Sequence, residues 1–283
     1  MKIQSLATLP FSSLFEAFSE AFQDYEIHPD ANELQTLLTR RGFDPALSFG
    51  AFDGSRLVSF TFNGTGMYQG IPTAYDTGTG TLKDYRGKGL AGDIFRFSLP
   101  FLKEAGWEQY LLEVLQHNTK AISVYEKLGF LPTREFSYFR QNRQEIRVPD
   151  RLLRPEFKLQ EISWKECIPL KSFGDHPASW QNSFEAIARE AGDFRAFGII
   201  REQTPVAYCI FETLSGDITQ LAVNPSYRRQ GLASALLSEA LQHNRHAEIK
   251  LINADVRCSA VEPFLLSFNI PLAGRQFEMI RKI

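Results

Sequence analysis

Seven residues, Tyr85-Arg86-Gly87-Lys88-Gly89-Leu90-Ala91, return in altered form as Tyr227-Arg228-Arg229-Gln230-Gly231-Leu232-Ala233. Each copy follows a strand-like segment and opens a helical pattern, so each is a loop between strand and helix. Such a loop presents backbone N–H groups at the positive end of a helix, and its glycines let a pyrophosphate approach without meeting a Cβ. The chemistry expected is phosphate cradling. One Arg-x-x-Gly-x-Ala pattern reads equally well as a helix-capping turn. Two copies in similar contexts argue against chance.

A chain of 283 residues has room for about two domains at ~100–200 residues each. Lys and Arg total 31 against 33 Asp and Glu, a formal net charge of −2. There is no net basic field to collect nucleic acid or an anionic membrane, so neither is an expected partner. Cys167, Cys209 and Cys258 are scattered and odd in number, without metal-like spacing or a disulfide framework, which fits a reducing compartment. Phenylalanine is abundant, with 24 residues, and core packing accounts for that before an aromatic-lined pocket does.

Near the N-terminus Phe11, Leu14, Phe15, Phe18 and Phe22 recur at helical spacing after a short strand containing Ile3 and Leu6. Glu16, Glu20 and Pro10 interrupt the apolar run that a secretory signal needs, and no span reaches transmembrane length, so the expected location is cytoplasmic. The stretch Asp24 to Asp30 reads as a polar turn, and a second helix is expected from Asn32 to Arg41. Paired strands around Asp53-Gly54, from Ala46 to Phe52 and Arg56 to Phe62, precede a strand from Thr73 to Leu82 that enters the first loop. A helix interrupted at Pro100 follows the loop. Then come a strand from Tyr110 to Leu115 and a helix from Asn118, as cap, to Leu128, ended by Gly129.

The run Leu112-Glu113-Val114, Asn118-Thr119-Lys120-Ala121-Ile122 and Tyr125-Glu126-Lys127-Leu128-Gly129-Phe130, after Arg86-Gly87-Lys88-Gly89-Leu90-Ala91, resembles the GNAT acyltransferase superfamily. Both of its best-known motifs are present in order. The resemblance implies an α/β (α+β) fold, a mixed, mostly antiparallel sheet flanked by helices, with acetyl-CoA entering where two strands splay apart. It implies no metal. The expected cofactor-binding set is Thr81, Leu82, Arg86, Gly87, Lys88, Gly89, Leu90, Ala91 and Asn118, with Arg86 and Lys88 adding charge beside the phosphates.

Beyond Phe139 the order of elements repeats. The expected organisation is an N-terminal GNAT domain at 1–140, a charged, proline-containing linker at 141–155, and a C-terminal GNAT-like domain at 156–283. Around the loops the offset is 142, Arg86 matching Arg228; near the C-terminus it is close to 140. There Glu113 falls on Asn253, Asn118 on Cys258 and Tyr125 on Leu265. The second copy lacks all three polar groups, so the first domain reads as catalytic and the second as degenerate.

An amine attacking a thioester must be neutral, although a free alkylammonium has a pKa of ~10, so a base or water chain must take its proton. Glu113, similar to the glutamate of Leu-Glu-Val sequences in some family members, leads, with Asp76 as competitor and a water relay as a third route. In the family's pattern the motif tyrosine, here Tyr125, supplies the proton to the departing thiolate. The neighbouring His117 reads as an exposed loop residue. The expected function is acetyl-CoA-dependent N-acetyl transfer to a primary amine on a small molecule or peptide. A catalytically silent acyl-CoA sensor is the alternative, and an aminoacyl-tRNA-dependent transferase is disfavoured by the two loops and the net charge. The acceptor and the oligomeric state stay open, although a monomer suffices.

Overall fold

The computed structural model describes residues 1–24, 28–148 and 153–283. Tyr25, Glu26 and Ile27, within the stretch read as a polar turn, lie outside the described residues. So do residues 149–152 of the stretch read as a linker. The chain forms two compact units. Unit 1 is Met1–Thr133 with Ala188–Glu190 and Phe277–Ile283; unit 2 is Arg134–Ile187 with Ala191–Gln276.

In unit 1, β1 (Lys2–Ser5), α1 (Phe11–Ala21) and α2 (Ala31–Arg40) lead into β2 (Phe49–Asp53), β3 (Arg56–Tyr68) and β4 (Ile71–Thr81). Next come α3 (Leu90–Glu104), β5 (Gln109–Leu115), α4 (Thr119–Lys127) and the start of β6 (Leu131–Asn142). Strands β1 to β4 pair antiparallel in sequence order, and β5 joins β4 in parallel. The apolar stripe of α1 buries Leu14, Ala17 and Ala21 on this sheet. Helix α2 starts with a capping box: Asp30 accepts from the Glu33 N–H at 2.9 Å, and Glu33 accepts from the Asp30 N–H at 2.8 Å. Many phenylalanines go to the core, while Phe97 and Phe101 of α3 stay exposed. Phe60 and Phe62 stack at 4.3 Å beneath Phe18, whose ring lies 4.5 Å from Phe22, and each fully buried ring contributes ~1.5–3 kcal/mol of transfer free energy.

Strand β3 runs six residues beyond the expected end at Phe62, and the hairpin to β4 turns on Gln69 and Gly70, both with positive φ (51° and 83°). Helix α3 continues through Pro100 to Glu104, so the interruption expected there does not break the helix. Asn118 caps α4 by accepting from the Ala121 N–H at 3.2 Å, and Gly129 ends the turn at φ 85°.

Unit 2 repeats this order. Most of β6 leads to β7 (Lys158–Ile162), the short helices α5 (Trp164–Cys167) and α6 (Phe184–Arg189), and β8 (Phe194–Arg201), β9 (Thr204–Glu212) and β10 (Asp217–Val223). Helix α7 (Leu232–His243), β11 (Glu248–Asp255), α8 (Val261–Leu266) and β12 (Leu272–Lys282) complete the chain. Antiparallel pairs join β7 to β8, β8 to β9, β9 to β10 and β11 to β6, while β10 meets β11 in parallel. The strand β6 continues through Gln141 and Asn142, the first residues of the stretch read as a linker. Both units are therefore mixed, mostly antiparallel sheets flanked by helices. Among the described residues no helix is long and apolar enough to cross a membrane.

Candidate active site

Strands β4 and β5 are in register only from Thr73 to Tyr75 against Gln109 to Leu111, yet they run on to Thr81 and Leu115. Beyond Tyr75 the two diverge. At the same point β4 carries a bulge: Phe62 of β3 faces Gly78 and Asn63 faces Asp76, so Thr77 is the extra residue. Asp76 is the first residue past the paired stretch. Its carboxylate accepts from the Gly78 N–H at 3.0 Å, from Thr79 Oγ1 at 2.9 Å and from the Tyr125 hydroxyl at 3.4 Å.

Burial raises the Asp76 pKa to about 6, against the opposing pull of those hydrogen bonds and of Arg41. A carboxyl group poised there can both take and release a proton near neutral pH. Glu113 has a different neighbour. The Tyr75 hydroxyl donates to Glu113 Oε2 at 3.1 Å, and burial followed by the charge of Glu113 holds the Tyr75 pKa well above the ordinary phenol value, so Tyr75 remains a donor. His117 is exposed.

Two further polar groups line this region. The Tyr110 hydroxyl donates to Asn63 Oδ1, and Asn63 Nδ2 donates to the Leu47 carbonyl at 2.6 Å. Burial, then the proximity of Asp76 and Tyr125, keeps the Tyr110 phenol protonated. Tyr75, Tyr110 and Asn63 were not singled out from the sequence. Their only trace there is an alternation of polar side chains along strands that otherwise read as core.

In the loop before α3, Gly87 and Gly89 sit at φ 76° and 79°, and a Cβ on either would meet nothing within 4 Å. Among the described residues no acceptor is found for the N–H groups of Gly87 to Ala91, as expected for the first turn of a helix. Leu82 and Leu90 face the core and Thr81 Oγ1 lies 2.7 Å from Ser59 Oγ. Lys88 Nζ rests 4.8 Å from the centre of the Tyr85 ring. Arg86 is not aimed at the open side of the loop. Its guanidinium donates to the Thr81 and Ala21 carbonyls at 3.1 and 2.8 Å and to Asp24 at 3.3 Å. These contacts tie the loop to the ends of β4 and α1.

Unit 2 keeps the frame with other side chains at the matching positions. Arg228 repeats the Arg86 clamp, donating to the Val223 and Phe173 carbonyls at 3.2 and 2.9 Å and to Asp175 at 2.9 Å. The loop holds Arg229 at φ 63° and Gly231 at φ 86°. The bulge recurs at Thr219, between Ile218 and Gln220, so Ile218 stands where unit 1 has Asp76. Ile270 N–H donates to the Leu265 carbonyl at 3.0 Å as Phe130 N–H does to the Tyr125 carbonyl, which fixes Leu265 opposite Tyr125. Asn182 bridges β10 and β11, donating to the Ile252 carbonyl at 2.8 Å and accepting from Gln220 at 2.7 Å. Asn253 donates to Ser179 at 3.0 Å. These strands are thus bridged by Asn182 of unit 2 itself. A cavity of about 440 Å³ in unit 2, bordered by Arg143, Asp193, Arg195, His243 and Arg245, shares no residue with the bulge or the loop.

The acetyltransferase (GNAT) family profile matches residues 11–130 and 157–262. The N-alpha-acetyltransferase 30 of Schizosaccharomyces pombe is 32% identical over 87 residues, which span 30% of this chain and 58% of the relative. The N-alpha-acetyltransferase MAK3 of Arabidopsis thaliana is 25% identical over 140 residues, covering 48% of this chain and 73% of its own length. A solved tandem GNAT protein from the clavulanic acid biosynthesis pathway superposes with a TM-score of 0.75 at 12% identity, over 99% of this chain and 98% of that one. That last likeness concerns the fold.

Proposed function

The chain belongs to the acetyltransferase (GNAT) family, and from that premise we propose that it is an acetyl-CoA-dependent N-acetyltransferase acting on a primary amine. The observation that carries this reading is the Tyr125–Asp76 contact at the point where β4 and β5 part. We assign catalysis to unit 1, and we keep the division of the sequence into repeats at 1–140 and 156–283 as part of the same proposal.

The loop and its helix end suit the donor: among the described residues no acceptor is found for the N–H groups of Gly87 to Ala91, and the space where a Cβ of Gly87 or Gly89 would sit is open at the positive end of α3. Acetyl-CoA would supply an acyl group activated as a thioester. Asp76 takes the proton from the arriving ammonium, because its raised pKa narrows the gap to the amine. Tyr125 holds a proton at its Oη for the leaving sulfur, and a backbone N–H of the diverging part of β4 meets the oxygen that gains charge. Glu113, held by Tyr75, orients that side of the groove rather than taking the proton. The sum is amine plus thioester giving amide plus thiol.

A free-thiol assay for CoA release against a panel of amines tests the reading. Binding of acetyl-CoA without turnover of any amine would support the sensor instead. The pH dependence separates the two carboxylates. The kcat/KM profile is expected to fall below pH about 6, where Asp76 is protonated. Asp76→Asn should remove that limb and lower kcat by ~10²-fold, while Glu113→Gln should leave the limb in place and cost less than ~10-fold. A limb that survives Asp76→Asn and vanishes in Glu113→Gln would reverse the assignment.

The same raised pKa makes Asp76 a cost to the fold. With 3.8 as the ordinary value and about 6 in the folded chain, its favourable contribution is complete below pH 3.8 and is lost as pH rises through 6. By linkage the loss is at most about 3 kcal/mol. Asp76→Asn is therefore expected to melt above the wild type at pH 8, with the difference shrinking at pH 4. Scanning calorimetry at both values checks this, and an equal or reversed difference would contradict it.

A further inference from the structure

The bulge that aims Asp76 has its own support. Arg41 follows the last turn of α2, where Gly42 takes φ 79° and the Phe43 N–H returns to the Leu38 carbonyl at 2.9 Å. The chain then lies against β3: the Thr65 N–H donates to the Gly42 carbonyl at 2.9 Å and the Asp44 N–H to the Asn63 carbonyl at 2.8 Å, with Phe43 bridging to Gly64. This approach needs a glycine. A Cβ on Gly64 would meet the Arg41 carbonyl oxygen at 2.2 Å.

That docking places the Arg41 guanidinium at the bulge. Nη1 donates to the Thr77 carbonyl at 2.9 Å, and Thr77 is the residue left out of the β3–β4 register. Such a residue has no ladder partner for its peptide group, so a side-chain donor fixes its orientation. From the other side Thr77 Oγ1 donates to the Phe62 carbonyl at 2.9 Å. Asp76 and Gly78 flank the peptide so held.

We propose that Arg41 is a positioning residue for acyl transfer: it holds the Thr77 bulge so that Asp76 faces Tyr125. The proposal rests on the reading of Asp76 as the base. The titratable and polar side chains that act on Asp76 are Tyr125 from α4, Tyr110 from β5, Tyr75 and Thr79 from β4 itself, and Arg41, with Glu113 meeting Tyr75. Arg41 is the cation among them. Its removal both loosens the bulge and withdraws the charge that favours the ionised carboxylate.

The test uses Arg41→Ala and Arg41→Lys in the full chain, each alone and combined with Asp76→Asn, with melting curves as the folding control. Arg41→Ala is expected to lower kcat by ~10–10²-fold, to move the acid limb of kcat/KM above pH 6, and to leave the KM for acetyl-CoA unchanged. Arg41→Lys, which keeps the charge without the guanidinium fork, should return the limb toward its original place and recover only part of kcat. In the Asp76→Asn background either change should cost less than about twofold, because the group it acts through is gone. An equal loss in both backgrounds, or an unmoved limb in both variants, overturns the proposal. Full activity of Asp76→Asn by itself removes the base assignment and this inference with it, whereas additive losses remove the inference alone.

Discussion

Tyr125→Phe is expected to lower kcat by ~10²–10⁴-fold, the range for loss of a general acid, with the affinity for acetyl-CoA nearly unchanged. The substitution is clean because the ring has its own supports. It meets Phe130 edge to face at 5.7 Å, and the Tyr125 backbone carbonyl accepts from the Phe130 and Leu128 N–H groups at 3.0 Å each. Only the hydroxyl is lost, and with it the 3.4 Å contact to Asp76. One of the hydrogen bonds that lower the Asp76 pKa also goes, so the acid limb of the pH profile should move upward in the variant. Rapid-mixing measurements of thiol release separate this from slow product release. Wild-type turnover in Tyr125→Phe would remove the residue from the mechanism.

Local chemistry was legible in the sequence wherever one residue type serves one backbone need. Gly87 and Gly89 announced a loop between strand and helix, Asn118 announced a cap, and Gly129 announced a helix end. The resemblance in Arg86 to Ala91 and Leu112 to Phe130 carried the fold. What the sequence hid is set by register. The bulge at Thr77 has no composition of its own, since Tyr-Asp-Thr-Gly-Thr reads as an ordinary strand, yet it decides that Asp76 meets Tyr125. Glu113 looked the stronger base because its motif is recognisable, and its hydrogen bond from Tyr75 depends on a parallel pairing that no local pattern shows. The Arg86 side chain illustrates the same limit: a cation beside a glycine loop suggests phosphate, but its distant partners Asp24 and Ala21 determine where it points.

The two loops should respond in opposite ways to the same substitution. Gly89→Glu places a carboxylate at the N-terminal end of α3, where the N–H groups of Gly87 to Ala91, in the loop and the start of the helix, lack acceptors among the described residues. The helix end tolerates that charge, since an anion there complements the dipole by ~0.3–1 kcal/mol. The side chain enters open space, and only the left-handed φ of 79° adds a strain of ~1–2 kcal/mol. The fold should survive, then, while phosphate oxygens are excluded by both volume and charge. Calorimetry should show acetyl-CoA binding largely abolished and the thiol assay no turnover. Gly89→Ala, with the same strain and no charge, should retain part of the affinity. Gly231→Glu introduces the same group at φ 86° into a unit whose counterparts of Asp76 and Tyr125 are Ile218 and Leu265 and whose strand gap is bridged by Asn182. Turnover in that variant should stay within about twofold of wild type, because neither Ile218 nor Leu265 can transfer a proton as Asp76 and Tyr125 are proposed to do. If Gly231→Glu, still folded, lost activity while Gly89→Glu kept it, the assignment of the working half would be inverted.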